Sequence, residues 1–193
     1  MFEVVVWSFL TLTTFLWYTR VILPWNEKRN CLVQLYDPVH EFVGSQFLCP
    51  DYVKFTNLLQ AATVLMYVPQ IFCLWDSSHS LVALKCAVLL MFARSIMLIS
   101  CPLRVASDAS VLDDVLLKML TFGFKEFRND LMFSGHISSA VMMMLTTKIY
   151  PQFFFICAIL QAFFLTVTKV HYTIDVLVAP FISFTIYSLV QTY

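Results

Sequence analysis

Glycine is scarce in this sequence, which contains only Gly44, Gly123 and Gly135 among its 193 residues. Phosphate-binding loops and dinucleotide fingerprints need several closely spaced glycines, because the backbone has to approach the phosphates. These glycines lie too far apart in the chain to form such a loop. We therefore expect no nucleotide cofactor, and the sequence indicates no other cofactor.

Charged residues are also few, at 12% of the chain against 60% hydrophobic residues. A soluble domain of this length needs a largely polar surface, which so few charges do not supply. The 12 basic residues balance the 12 acidic ones. This balance argues against a nucleic-acid partner. We expect an integral membrane protein.

The cysteines are scattered and form no C-x-x-C pair, which excludes a zinc knuckle and a thioredoxin-type redox motif. Cys31 and Cys49 share one loop, and a disulfide between them requires that this loop face an oxidising compartment. The sequence leaves both states open. His40 and Glu41 are followed by Gly44 where a zinc-binding H-E-x-x-H motif has its second histidine. We expect no metal site.

The hydrophobic residues are concentrated in six segments, each close to the roughly 20 residues that cross a bilayer as a helix. They cover residues 4–23, 55–75, 80–100, 131–149, 151–168 and 172–190. Continuous apolar runs without two-residue alternation predict helices and not barrel strands. We predict an all-α membrane protein in which residues 1–193 form a single domain, a bundle of six transmembrane helices.

The loops between these segments differ in length. Loops 24–54 and 101–130 are long, whereas the others are short and require antiparallel neighbours. Residues 110–120 show helical spacing of apolar side chains, which predicts an interfacial amphipathic helix between spans three and four; a substrate lid is the alternative. Alternation of the spans puts His40, His136 and His171 at one membrane face, whereas His79 lies opposite as an ordinary interfacial histidine.

His171 and Asp175 are four residues apart, a spacing that brings two side chains together on one helix face. A carboxylate that accepts one imidazole N–H orients the ring and raises the basicity of its other nitrogen. Polar residues at the end of a membrane helix can instead simply reach water, so spacing alone leaves both interpretations open. His136 follows Ser134 and Gly135, and a glycine at a helix start lets backbone N–H groups approach an anion. Two histidines at one face predict a nucleophile opposite a general acid.

These residues carry a family resemblance. The run Phe133-Ser134-Gly135-His136, followed by His171-Tyr172-Thr173-Ile174-Asp175-Val176, resembles the sphingomyelin synthase family within the type 2 phosphatidic acid phosphatase superfamily. It is also similar to the plant phosphatidylcholine:diacylglycerol cholinephosphotransferases. The resemblance is best over residues 131–180 and extends more loosely over all six spans.

The resemblance implies a head-group transferase with His136, His171 and Asp175 as its catalytic set. His171 would attack the phosphorus of a glycerophospholipid, His136 would protonate the departing diacylglycerol, and Asp175 would stabilise the imidazolium. A ceramide or diacylglycerol hydroxyl, deprotonated by His136, would then accept the phosphocholine, phosphoethanolamine or phosphoinositol group. The further substrate contacts that the resemblance implies are Arg94, Ser134, Gly135 and Tyr172.

The sequence departs from the phosphatases of this superfamily at the positions where they bind a phosphate monoester. Their Ser-Arg pair is replaced by Phe164 and Leu165, and Lys85 and Arg94 do not reproduce their upstream K-x6-R-P motif. A phosphodiester with a single charge suits such a site better than a monoester dianion, which favours transfer. A lipid phosphatase or phospholipase C-like hydrolase is the alternative, and a non-catalytic lipid-binding relative is the second.

The first long loop contains Pro38-Val39-His40-Glu41, which resembles a degraded Pro-Leu-Pro-Asp motif of the family; Cys49-Pro50-Asp51 is a rival. A plain loop turn is the favoured interpretation of both. Basic residues in the long loops predict a cytosolic active site by the positive-inside rule, whereas the resemblance implies a lumenal or exoplasmic one. The organelle, whether Golgi, endoplasmic reticulum or plasma membrane, and the presence of a homo-oligomer are left open.

Overall fold

The computed structural model describes residues 2–29, 34–43, 50–73, 77–101, 103–104 and 133–192, without the side chains of residues 50, 51, 53 and 68–78. Nearly all of this part of the chain is helical, so the all-α prediction is confirmed for it. The helices are α1 (Phe2–Trp17), α2 (Leu23–Glu27), α3 (Pro38–Val43), α4 (Pro50–Cys73), α5 (Ser77–Ser100), α6 (Gly135–Thr146), α7 (Pro151–Val167) and α8 (Thr173–Thr192). A π-helical turn, Tyr18–Ile22, joins α1 to α2.

Three helices of the described chain are long and apolar enough to cross a membrane. They are Phe2–Glu27, His79–Ser100 and Thr173–Thr192. Helix α7 is apolar but has only 17 residues. The structure thus supports a membrane protein by helix length and composition, and six spans are not confirmed.

The remaining predicted spans differ from the observed helices for local reasons. Helix α6 begins at Gly135 and not at 131, because Ser134 has extended dihedral angles and caps the helix, and Phe133 has a positive φ of 42°. Its 12 residues extend about 18 Å. Helix α4 is long enough but contains polar residues such as Asn57 and Gln60, which make it less apolar than the three candidate spans. The predicted amphipathic helix at 110–120, like Cys31 and Cys49, lies outside the described residues.

Helix α6 lies at the centre of the bundle and packs against α4, α5, α7 and α8. Small side chains at the α6–α8 contact let the two backbones approach, as is usual between membrane helices. Ala140 and Ala179 are completely buried there, and the Ser183 hydroxyl donates to the Ser138 carbonyl at 3.3 Å. This close contact holds the starts of α6 and α8 near one another.

Polar side chains connect α4 to α6 and α7. The Gln60 amide donates to the Ser139 hydroxyl at 3.3 Å and accepts from Gln161, also at 3.3 Å. About two turns further along, the hydroxyls of Tyr67 and Thr146 are hydrogen-bonded. Gln60 precedes Tyr67 on α4, and their partners Ser139 and Thr146 follow in the same order on α6. The two helices therefore run in the same direction, as the alternation of spans two and four requires.

The outer surface of the bundle is strongly apolar. Phe2, Phe9 and Phe181 are 82%, 65% and 74% exposed. Aromatic side chains this exposed on several helices form a surface that lipid, and not water, would cover. The polar residues described below lie at one end of this apolar bundle.

Candidate active site

His136 lies in the first turn of α6, directly after the Ser134 cap and Gly135. The Ser134 hydroxyl accepts the Ile137 N–H at 3.5 Å, which satisfies one of the N–H groups left free at a helix start. The prediction from span boundaries placed His136 five residues inside a helix. The structure instead places it at the helix end, because the chain turns at Phe133 and Ser134.

His171 lies two residues before α8 and is 5% exposed. The four-residue spacing suggested that His171 and Asp175 share a helix, but His171 precedes the helix that carries Asp175. Asp175 is in the first turn and reaches back, so that its Oδ2 lies 3.6 Å from Nδ1 of His171. This separation is slightly longer than a hydrogen bond, as is common for catalytic pairs without bound substrate.

Asp175 also stabilises the start of α8. Its Oδ2 accepts the Tyr172 N–H at 3.3 Å, which is the carboxylate half of a capping box. Its main-chain carbonyl accepts the Ser134 N–H at 3.1 Å. This single backbone bond connects the turn before His136 to the first turn of α8, so the two histidine-bearing segments are joined directly.

The His136 and His171 rings face one another at this junction. Their centroids are 6.4 Å apart and their planes are inclined by 67°. A buried imidazole beside a carboxylate, opposite a second imidazole, can act as a nucleophile and a general acid on one reacting group. Within the described ranges, no three His, Cys, Asp or Glu side chains form a potential metal site.

Arg94 lies beside this pair, buried at 4% exposure. Its guanidinium donates to the Phe133 carbonyl at 2.7 Å and to the Tyr18 hydroxyl at 3.1 and 3.3 Å. The rings of Tyr18 and Phe133 lie 5.5 and 5.4 Å from its Cζ, within cation–π range. Arg94 thus connects α5 and the π-helical turn after α1 to the turn before His136.

Gly135 is needed where the Arg94 guanidinium meets the start of α6. A Cβ at this position would lie 2.7 Å from Nη1 and 2.9 Å from Cζ of Arg94. Such distances are too short for a contact, and the guanidinium is held by its bonds to Tyr18 and Phe133. The sequence suggested that this glycine lets an anion approach the backbone. The structure places the Arg94 side chain against this glycine, and the approach of an anion stays a prediction.

Gly135→Ala is therefore expected to lower the free energy of unfolding by about 1–3 kcal/mol, as overpacking of a core does. We expect turnover to fall with it, because Arg94 has to release the Phe133 carbonyl. Thermal unfolding in detergent and turnover should be measured for Gly135→Ala, Arg94→Ala and the double variant. Without the Arg94 guanidinium, the methyl group added at position 135 should cost little. The losses of the two single variants should therefore not add in the double variant. Additive losses would contradict a clash with Arg94.

Tyr172 connects both long loops to the segment that carries His171. Its hydroxyl donates to the Arg104 carbonyl at 2.6 Å and accepts the Leu35 N–H at 3.1 Å. Its ring stacks on His40 at a centroid distance of 5.6 Å. The sequence predicted Tyr172 as a substrate contact, and its described contacts are to protein.

Asp37 is a site residue that the sequence analysis missed. Its carboxylate accepts the Thr173 N–H, the first of α8, at 2.6 Å. The pair is 136 residues apart in sequence, so no local pattern predicts it. The only local signal is Asp37 before Pro38, the usual pair at the start of a helix, which predicts the short helix α3 and nothing further.

Aromatic packing occupies the position where the phosphatases have their Ser-Arg pair. Phe164 lies 5.9 Å from the Phe55 ring and 5.5 Å from the Tyr52 ring, and Leu165 is completely buried. The structure thus places no cation at either position. A phosphate group here would meet hydrophobic side chains.

No curated protein and no solved structure matches the chain. A protein-family model does match its last third, which carries both histidines and Asp175. Such a match is consistent with a lipid phosphatase or phosphotransferase. Residues 129–193 match the PAP2 superfamily C-terminal model, which supports the type 2 phosphatidic acid phosphatase superfamily and does not distinguish among its members.

Proposed function

We propose that this protein is a phospholipid head-group transferase that works through a phosphohistidine intermediate. The observation that carries the proposal is the buried His171–Asp175 pair opposite His136, at a ring distance of 6.4 Å. The donor is a glycerophospholipid, and the acceptor is ceramide or diacylglycerol. The donor and acceptor classes follow from the family resemblance.

In the first half-reaction, the unprotonated nitrogen of His171 attacks the donor phosphorus. A nitrogen–phosphorus bond forms, and the bond between phosphorus and the diacylglycerol oxygen breaks. The His136 imidazolium gives its proton to that oxygen. Asp175 stabilises the positive charge that develops on His171, since the carboxylate lies 3.6 Å from Nδ1. Diacylglycerol leaves, and the head group remains on His171.

In the second half-reaction, His136 removes the proton from the acceptor hydroxyl. The resulting oxygen attacks the phosphorus, and the nitrogen–phosphorus bond breaks, which restores His171. His136 ends protonated and ready for another donor. The set of groups therefore returns to its starting state without a metal or cofactor.

The charge of the site supports a phosphodiester substrate. Arg94 is a buried cation next to the turn that holds His136, and buried Lys169 precedes His171 by two residues. Phe164 and Leu165 provide no second clamp. We propose that Arg94, which lies against the Gly135 end of α6, offsets the single negative charge of a phosphodiester. Ser134, Gly135 and Tyr172 shape the substrate site in this proposal.

We further propose that α4, α6 and α7 complete a six-helix membrane bundle with the three longer helices. The hydrogen bonds of Gln60 support this arrangement, because they tie α4 to both α6 and α7 away from the bundle surface. Both substrates are lipids, so a site at one end of such a bundle receives them from the bilayer.

Hydrolysis is the second candidate, since the superfamily match is equally consistent with a phosphatase. Purified protein should be incubated with phosphatidylcholine labelled in its head group, with and without ceramide or diacylglycerol. We expect label in the acceptor lipid and dependence on acceptor. Water-soluble label alone would establish a hydrolase. Absence of turnover with phosphatidylcholine, phosphatidylethanolamine and phosphatidylinositol would favour a non-catalytic lipid-binding protein.

A further inference from the structure

A segment of the first long loop, residues 34–43, packs directly on the backbone around His171. It contains the Pro38-Val39-His40-Glu41 run, for which a plain loop turn was the favoured interpretation. Asp37 and His40 are 7% and 6% exposed, which is unusual for charged or titratable side chains in a loop. Both are buried against residues 171–173, so the turn interpretation does not account for them.

The Asp37 carboxylate holds two backbone elements together. Its Oδ2 accepts the Thr173 N–H at 2.6 Å, and its Oδ1 accepts the Thr173 hydroxyl at 3.0 Å. Oδ1 also accepts the Val39 and His40 N–H groups at 2.9 and 3.3 Å. One carboxylate therefore caps α3 and the start of α8 at once.

The ionisation of Asp37 is consistent with this role. Burial by itself would raise the pKa of its carboxyl, but the hydrogen bonds from Thr173 and the nearby His40 ring outweigh burial and hold the pKa below its usual value. A lowered pKa means that the stabilisation is fully present above the ordinary pKa of about 3.9 and is lost as the pH falls through the lowered value. Asp37 is thus ionised throughout the neutral range.

His40 contacts the two residues that precede Thr173, namely His171 and Tyr172. Its Nε2 lies 3.0 Å from the His171 carbonyl oxygen, to which it donates when that nitrogen is protonated. Its ring stacks on the Tyr172 ring at 5.6 Å with an inclination of 22°. This one segment therefore contacts three consecutive residues, at the main chain of His171 and Thr173 and at the side chain of Tyr172.

We infer that the 34–43 segment positions the nucleophile, with Asp37 and His40 as positioning residues that fix the main chain of His171 and Thr173. The inference rests on the proposed function in one respect, that His171 is the nucleophile. The His171 N–H bonds to the Leu165 carbonyl at 3.4 Å, so the 34–43 segment holds the other side of this residue, its carbonyl oxygen and the Thr173 N–H beyond it. Loss of that hold would shift the ring relative to Asp175 and the phosphorus. Displacements of about 1 Å cost roughly 100-fold in rate.

Two pairs of variants test this inference by their kinetics. His40→Phe retains the stacking on Tyr172 and loses the donor, whereas His40→Gln retains a donor. Asp37→Asn retains an acceptor oxygen, whereas Asp37→Ala retains none. We expect kcat to fall roughly 10- to 100-fold in His40→Phe and Asp37→Ala, with KM nearly unchanged and partial recovery in His40→Gln and Asp37→Asn.

Glu41→Gln is the matched control, because Glu41 is exposed on the same short helix and its described partner is the Tyr36 hydroxyl. It should retain the wild-type kcat. Equal kcat in His40→Phe, Asp37→Ala and wild type would overturn the inference. So would a rise in KM at constant kcat, since that would indicate substrate binding and not positioning.

Amide hydrogen exchange at Thr173 provides a readout that does not depend on turnover. We expect protection of this N–H in wild type and Glu41→Gln, and its loss in Asp37→Ala with the rest of α8 still protected. Retained protection at Thr173 would overturn the inference even if activity falls. If wild type has no turnover, the proposed function fails, while the exchange result still decides whether the segment holds residues 171–173.

Discussion

His171→Ala is expected to abolish transfer and, with it, the labelling of the protein by its donor. Removal of a nucleophile or its base commonly lowers kcat by about a million-fold. The loss should be chemical and not structural, since the bond that joins the two histidine-bearing segments runs between the Ser134 N–H and the Asp175 carbonyl. Neither group belongs to the His171 side chain.

The intermediate can be captured by leaving out the acceptor lipid. Wild-type protein mixed with head-group-labelled phosphatidylcholine and quenched in alkali should retain label on a histidine, and acid should release it, because nitrogen–phosphorus bonds are labile to acid. His136→Gln should acquire label slowly, since it lacks the acid for the leaving group. Label of equal amount in His171→Ala would contradict the assignment of the nucleophile.

His79→Ala is a suitable control for these measurements. His79 lies near the start of α5, 15 residues before Arg94, and so about 22 Å along the helix from the catalytic end. Its loss should leave both transfer and labelling unchanged.

Asp175→Asn is expected to lower kcat by roughly 100- to 10,000-fold, because an amide does not hold the imidazole in the tautomer that a carboxylate selects. The helix start should survive, as the asparagine oxygen can still accept the Tyr172 N–H that Asp175 accepts at 3.3 Å. Turnover should therefore be lost in Asp175→Asn, while its thermal unfolding temperature should stay close to that of the wild type.

Asp175→Ala is the matched comparison for this prediction. It loses the cap as well as the carboxylate, so it should also be less stable by about 1 kcal/mol. Near-normal turnover in Asp175→Asn would show that Asp175 serves the helix start alone. A loss of activity that follows the loss of folding in both variants would lead to the same conclusion.

The parts of the site that follow from sequence are those set by short spacing. His171 and Asp175 are four residues apart, and spacing brought them together even though His171 precedes the helix. Arg94 and Gly135 belong to different helices, and their contact depends on how α5 packs against α6. A sequence pattern contains no information on how two helices pack, so the contact of Gly135 with Arg94 was not predicted.

The start of the fourth predicted span shows a second limit of sequence analysis. Counting apolar residues predicted a span at 131–149, but the positive φ of Phe133 and the Ser134 cap start the helix later. Hydropathy measures the composition of a segment and not where its backbone turns. The contact of Asp37 with Thr173 depends on residues 34–43 packing against the start of α8, which composition does not encode either.

The two hydrogen bonds between α4 and α6 have a mechanical consequence. Gln60 and Tyr67 are seven residues apart, as are their partners Ser139 and Thr146. A slide of one helix along the other by a single turn would break both bonds together, since neither hydroxyl would find the same partner. Each bond contributes about 0.5–1.5 kcal/mol, so these bonds oppose an axial slide of α4 against α6 more than a tilt about their contact.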